Sequence, residues 1–100
     1  MTNLENLVAL LDQVRTLHAA LPEQVAAARD ETEVQYIRIK IFMSAGDRLA
    51  AALELLAPTD PSRVTIQAAL DALVELVGAA VERVAQIEQA MIQAANATKH

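Results

Sequence analysis

The sequence predicts an all-α protein, an antiparallel three- or four-helix bundle with a long C-terminal helix. Two observations support this fold class. Helix-start signals at Thr2 and Asp60 each precede a long apolar stretch. In the second stretch, apolar residues recur at alternating steps of four and three, the spacing that buries one side of a helix against other helices. These residues are Ile66, Leu70, Leu73, Val77, Ala80, Val84, Ile87, Met91 and Ala94.

The first helix is predicted over residues 3–20. Thr2 and Glu5 have the spacing of a capping box, in which a hydroxyl and a carboxylate accept hydrogen bonds from free backbone N–H groups. Pro22 is predicted to end this helix and to begin the next one. Proline disfavours helical geometry in the residue before it, yet suits the first turn of a helix.

Residues 22–57 are predicted to form one helix or a broken helix. A break would fall at one of two capping-box sequence patterns, which begin at Thr32 and at Ser44. Gly46, which disfavours a helix, lies close to the second pattern. Residues 36–42 alternate isoleucine with charged residues, as a strand does. A helix is favoured there because the segment is apolar on two sides of a helix, and a lone strand has no partner.

The last helix is predicted over residues 61–96, about 54 Å long at 1.5 Å per residue. Asp60 provides an N-cap carboxylate, and Pro61 provides a first helical residue whose missing N–H costs nothing. Gly78 is expected to allow another helix to approach closely. Because this helix is much longer than the first, we expect it to leave apolar surface uncovered and to promote self-association.

The composition predicts one domain over residues 1–100 with a tight aliphatic core. Apolar residues make up 54% of the chain, but 21 of them are alanine, and Tyr36 and Phe42 are the two aromatic residues. The chain has no cysteine, no basic leader, and no charge-free apolar run near the roughly 18 residues of a membrane span. We therefore expect a cytoplasmic protein that does not enter a membrane.

The charge and the motifs exclude several function classes. The net charge of −5 has the wrong sign for binding nucleic acid. No Glu-x-x-His pair and no glycine-rich phosphate loop occurs, and His18 is interpreted as a cation that favours the end of the first helix. The basic residues suit solvated helix faces better than an anion pocket. We therefore expect no catalytic residue, no cofactor and no metal.

One dense patch of charge is the candidate site for a partner protein. Asp30, Glu31 and Glu33 cluster just before Tyr36, the single tyrosine of the chain. Carboxylates at a helix start are often solvated residues that favour the helix dipole. An aromatic side chain one turn from a carboxylate is also a common anchor at protein interfaces. Asp30, Glu31, Glu33 and Tyr36 are therefore the predicted partner-binding residues.

The same segment resembles a known family. The run from Glu33 to Arg38, with Pro22 upstream and the Thr59-Asp60-Pro61 turn before the last helix, is similar to small helical immunity proteins. Those proteins accompany type VI secretion toxins, notably effectors that hydrolyse NAD(P)⁺. The resemblance implies an immunity protein that binds a cognate toxin and occludes its active site, without catalysis. The alternative is a homodimeric helical-bundle scaffold, natural or designed.

Overall fold

The computed structural model describes residues 2–98, which form three helices. These are α1 (Asn3–Ala26), α2 (Glu31–Leu55) and α3 (Ser62–Ala97). The described part of the chain is 88% helical and contains no strand, which confirms the all-α class. Residues 36–42 lie inside α2 and are helical.

The first helix is longer than the sequence predicts, and the prediction that Pro22 ends it is wrong. α1 continues through Pro22 to Ala26, and Val25 beyond the proline is half-buried. Burial of that side chain favours continuing the helix and offsets part of the cost of an internal proline. The second helix therefore begins at residue 31 and not at residue 22.

Asp30 is the N-cap residue of α2. It lies two residues before Thr32, where the capping-box sequence pattern begins. Asp30 has an extended backbone, and its Oδ1 accepts a hydrogen bond of 2.8 Å from the backbone N–H of Glu33. Glu33 Oε2 in turn accepts a bond of 3.2 Å from the N–H of Arg29. This two-way capping satisfies backbone donors at the helix start.

α2 is one unbroken helix through Ser44 and Gly46. A Cβ added at Gly46 would lie 3.6 Å from Leu70 Cδ1, so α3 passes close to this position. A Cβ added at Gly78 would meet nothing within 4 Å, and the expectation that Gly78 allows a close approach is therefore wrong within the folded chain. Packing on both sides of α2 favours a continuous helix over the local break signals.

In the turn between α2 and α3, Asp60 provides a backbone-binding carboxylate as predicted, but α3 begins one residue later than predicted, at Ser62, with Pro61 at the N-cap position. Pro61 has helical dihedral angles, and Asp60 Oδ1 accepts a hydrogen bond of 2.9 Å from the N–H of Ser62. Arg63 reaches back and donates from Nη1 to the carbonyl oxygens of Leu53 and Leu56. The arginine thus binds carbonyls at the end of α2, in addition to the bond that Leu53 O accepts from the N–H of Leu56, and holds the two helices antiparallel.

The three helices form a flat, open bundle with α2 in the middle. α2 packs against both α1 and α3, whereas the described backbones of α1 and α3 never come within 8 Å of each other. The backbone measures 65 × 26 × 16 Å, so the molecule is long and thin. The buried apolar residues are Ile41, Ala45, Leu49, Ala52, Leu53, Ile66, Ala80 and Val84.

The predicted apolar side of α3 is buried or half-buried from Ile66 to Ile87, and then it becomes exposed. α2 begins opposite Arg83, and among the described residues the cover of α3 ends about one turn beyond that point, at Ile87. Residues 88–97 are all exposed, including Met91. We call residues 85–97 the α3 arm. Past the half-buried Ile87, its last ten residues are exposed over a length of about 15 Å.

Candidate functional site

Three of the four predicted partner-binding residues lie together on one surface. Asp30, Glu33 and Tyr36 line a shallow depression of about 370 Å³, bordered by Arg29 and Lys40. The side chain of Tyr36 is 54% exposed. We call this depression the Tyr36 surface. It presents an aromatic ring on a rigid helix, between side chains of both charges.

Glu31, the fourth predicted residue, lies on another side of α2 and faces α3. Its carboxylate accepts two hydrogen bonds from Arg83, with Oε1 2.6 Å from Nε and Oε2 2.9 Å from Nη2. Hydrogen bonding to Arg83 lowers the pKa of the Glu31 carboxyl, and the same bond raises the pKa of Arg83. Glu31 therefore ties α2 to α3 and does not belong to the Tyr36 surface.

The carboxylates of the Tyr36 surface are held by local contacts. Asp30 caps α2, and Glu33 Oε2 lies 3.1 Å from Arg29 Nε. That hydrogen bond raises the pKa of Arg29. With Arg29 and Lys40 on its border, the surface carries balanced charge and not the acidic charge that the sequence indicates. Its most prominent feature is Tyr36.

A second open feature is an apolar groove between α1 and α3, with α2 as its floor. We call it the α1–α3 groove. It has a volume of about 440 Å³, and Ile41, Ala45 and Leu49 form its floor. Its α1 side is lined by Val14, His18 and Leu21, and its α3 side by Ala69, Ala72, Leu73 and Leu76. Since no Cα atom of α1 lies within 8 Å of one in α3, the two walls are set apart and the groove is open to solvent between them.

His18 lies on the wall of this groove and not at a helix end. α1 continues eight residues past it to Ala26, so the interpretation of His18 as a cation at the helix terminus is wrong. Sequence reasoning missed the groove, although a signal for it exists. Ala69, Ala72 and Leu76 repeat the three-and-four spacing of α3 one step to the side of its buried residues.

The basic residues do not converge on an anion pocket. Arg15 pairs with Asp12 at 3.2 Å, and Arg29 pairs with Glu33. Arg48 joins α1 to α2 by donating to Gln13 Oε1 at 2.9 Å. Within residues 2–98, no group of three or more His, Asp or Glu residues is placed to hold a metal ion.

α3 is long and apolar enough to cross a membrane, judged by length and composition alone. Of the residues in its most apolar stretch, 6% are buried. The stretch contains Asp71 and Glu75, so it is not one of the charge-free runs by which a membrane span is usually recognised. The core helix of a soluble protein is mostly buried, so the exposure of α3 calls for a separate explanation.

The three helices and the two open surfaces define an open three-helix bundle. No family model, curated protein or solved structure matches the chain.

Proposed function

We propose that this chain is an immunity protein that binds a cognate toxin through the Tyr36 surface and occludes the toxin's active site. The observation that carries the proposal is the position of Tyr36. It is a half-exposed aromatic residue in a depression on a rigid helix, inside the segment that resembles the immunity family. Aromatic residues of this kind provide most of the binding energy at many interfaces.

The surroundings of Tyr36 favour binding without rearrangement. Asp30 and Glu33 are fixed by the hydrogen bonds that cap α2, so little side-chain freedom remains to be lost on binding. Interfaces that are ordered before association lose less conformational entropy when they form. A partner with a pocket for one aromatic side chain would fit this surface.

The proposed action needs binding and no catalysis by this chain. A toxin that hydrolyses NAD(P)⁺ must admit its substrate through an open cleft, and a helical protein seated over the cleft excludes the substrate. We place this action in the cytoplasm, where such a toxin meets its substrate. The net charge of −5 would speed association with a basic toxin, since complementary charge raises association rates.

The test compares Tyr36→Ala with Val8→Ala, a truncation on α1 at the end of the bundle away from the Tyr36 surface. The side chains are 54% and 50% exposed, so both changes should affect folding little. Each variant is co-expressed with the effector domain encoded next to this chain, and the purified pair is assayed for NAD(P)⁺ hydrolysis. We expect Tyr36→Ala to weaken inhibition on the order of thirtyfold and Val8→Ala to leave it unchanged.

Two results would count against the proposal. Equal inhibition by wild type and Tyr36→Ala would remove the Tyr36 surface from the interface. Failure of the wild-type chain to bind or inhibit the adjacent effector would remove the immunity function. Glu33→Lys is a poorer probe, because Glu33 also caps α2 and pairs with Arg29.

A structural role as a homo-oligomeric scaffold is the second candidate function. It is favoured by the open α1–α3 groove and by the uncovered α3 arm. A scaffold function predicts that the chain forms a stable oligomer without any toxin. The molecular mass of the chain in solution tests it.

A further inference from the structure

The chain exposes far more surface than a compact protein of its mass. It exposes 6987 Å² at a mass of 10.8 kDa. A compact monomer of that mass exposes about 5,500 Å², so roughly 1,400 Å² is in excess. A stable interface covers about 800 Å² on each partner. The excess is therefore large enough for one stable interface.

We propose that the chain forms a two-fold dimer in which the α3 arm of each copy lies in the α1–α3 groove of the other. Both elements belong to every copy and both are uncovered in the single chain. A two-fold arrangement covers both in both copies at once, as an interface between identical patches requires.

The position of the arm fits this arrangement. The α1–α3 groove continues past Leu21 and Leu76 into a second depression that ends at Glu31 and Arg83. The α3 arm leaves the bundle at that same end. If two α3 helices run antiparallel about an axis near Arg83, the residues after position 85 of one copy lie beside the residues before position 80 of the other.

The surfaces that meet in this dimer are complementary in size and polarity. Ala69 and Ala72 on the groove wall are small, so a helix can approach α3 closely there. The arm presents Met91 and Ala94, which follow the half-buried Ile87 and continue the apolar side of α3 where the single chain no longer covers it. Burying these residues removes apolar surface that the single chain leaves in water.

The polar side of α3 indicates that a protein, and not a lipid bilayer, contacts the exposed apolar surface of this helix. Asp71, Glu75 and Glu82 are exposed and recur on one side of the helix. A membrane span would place these carboxylates in hydrocarbon, which is strongly unfavourable. A second copy covers the groove side of α3 and leaves the carboxylates in water.

The first measurement is the mass of the full chain by light scattering with size-exclusion chromatography, over a range of concentrations. We expect twice the 10.8 kDa of one chain. A monomer at high concentration overturns the proposal. If that monomer also sediments with vesicles of anionic phospholipid, a membrane and not a second copy covers α3.

Two matched pairs of substitutions locate the interface. Leu76→Glu places a charge on the groove wall, whereas Val74→Glu places it on another side of α3. Leu76 is 46% and Val74 is 64% exposed, so neither change should unfold the chain. Met91→Asp and Ile92→Asp compare adjacent positions that point to different sides of the α3 arm.

We expect Leu76→Glu and Met91→Asp to weaken dimerisation at least about a hundredfold, with helical content unchanged by circular dichroism. Val74→Glu and Ile92→Asp should leave the dimer intact. A dimer that survives both Leu76→Glu and Met91→Asp, or one broken by Val74→Glu instead, overturns the proposed interface.

The dimer and the toxin complex are independent of each other. Tyr36 and Ala45 are about two and a half helical turns apart on α2, so Tyr36 lies on the opposite side from the groove floor. A dimer therefore leaves both Tyr36 surfaces free. Loss of the dimer in Leu76→Glu should leave toxin inhibition unchanged, and Tyr36→Ala should leave the dimer mass unchanged.

Discussion

Arg83 and Glu31 join α3 to α2 at the point where α2 begins and the α3 arm leaves the bundle. The guanidinium and the carboxylate share two hydrogen bonds, and both side chains are about half exposed. Exposed ion pairs contribute little to the free energy of unfolding on average, but bidentate arginine–carboxylate pairs such as this one contribute more than most. The pair fixes how the last part of α3 is aligned on α2.

This ion pair predicts a specific pH dependence of stability. Because the hydrogen bond from Arg83 lowers the pKa of Glu31 in the folded state, protonation favours unfolding. The contribution is complete above the unfolded-state pKa of about 4.3 and is lost as pH falls through the lower folded-state value. Glu31→Gln should therefore flatten the loss of stability with acid, measured as urea midpoints between about pH 6 and pH 3.

Glu82→Gln is the matched control for this measurement. Glu82 is exposed on α3, and the same loss of one carboxylate there should leave the wild-type slope unchanged. Salt should lower the stability of wild type more than that of Glu31→Gln, since the pair is open to solvent. Parallel pH curves for wild type and Glu31→Gln would contradict the role of the pair.

Val84→Asp tests the buried side of α3. Val84 is 8% exposed, whereas Val81, three residues earlier on the same helix, is 52% exposed. A carboxylate at position 84 has no partner, and its burial should cost several kcal/mol of a total of roughly 5–15 kcal/mol. We expect Val84→Asp to unfold or nearly unfold the chain, by thermal melting, and Val81→Asp to remain folded. Equal melting temperatures would show that the orientation of α3 is wrong.

Gly78→Ala should stabilise the chain by about 0.5–1 kcal/mol, because alanine loses less backbone entropy in a helix and nothing lies near the added methyl group. Gly46→Ala should be equally well tolerated, since its added Cβ makes an ordinary contact with Leu70 at 3.6 Å. Chemical denaturation measures both. A loss of stability in Gly78→Ala would mean that another chain packs against this side of α3.

The sequence predicts the helices well because the signals for them are local. Near the predicted helix starts, the Thr2 hydroxyl accepts a hydrogen bond from the N–H of Glu5, and the Asp60 carboxylate accepts one from the N–H of Ser62. The apolar spacing of α3 identifies its buried side up to Ile87. Such signals depend on residues within one or two turns of each other, so they can be found without knowing the fold.

The candidate site is predicted less well because its residues have partners that the local sequence does not reveal. Glu31 pairs with Arg83, 52 residues away along the chain. Asp30 is used as a cap, so a charge cluster in the sequence becomes part of a helix start. The α1–α3 groove is hidden for another reason: alanine occurs on both buried and exposed sides of these helices, so the spacing of Ala69, Ala72 and Leu76 is only a weak signal.

Pro22→Ala distinguishes the observed α1 from the shorter predicted helix. In the structure Pro22 lies inside the helix, where it lacks an N–H for the carbonyl of His18 and crowds that carbonyl. Alanine restores the bond, and the gain is reduced because the unfolded chain becomes more flexible. We expect a net stabilisation of about 2 kcal/mol by chemical denaturation.

Pro58→Ala provides the control, because Pro58 lies in the turn between α2 and α3, where proline stiffens the unfolded chain without breaking a helix. That change should be neutral or destabilise the chain by about 0.4–1 kcal/mol. If Pro22→Ala behaved in the same way, α1 would end before Pro22 in solution. His18 and Leu21 would then stand at a helix end, and the α1 wall of the groove would be shorter than described.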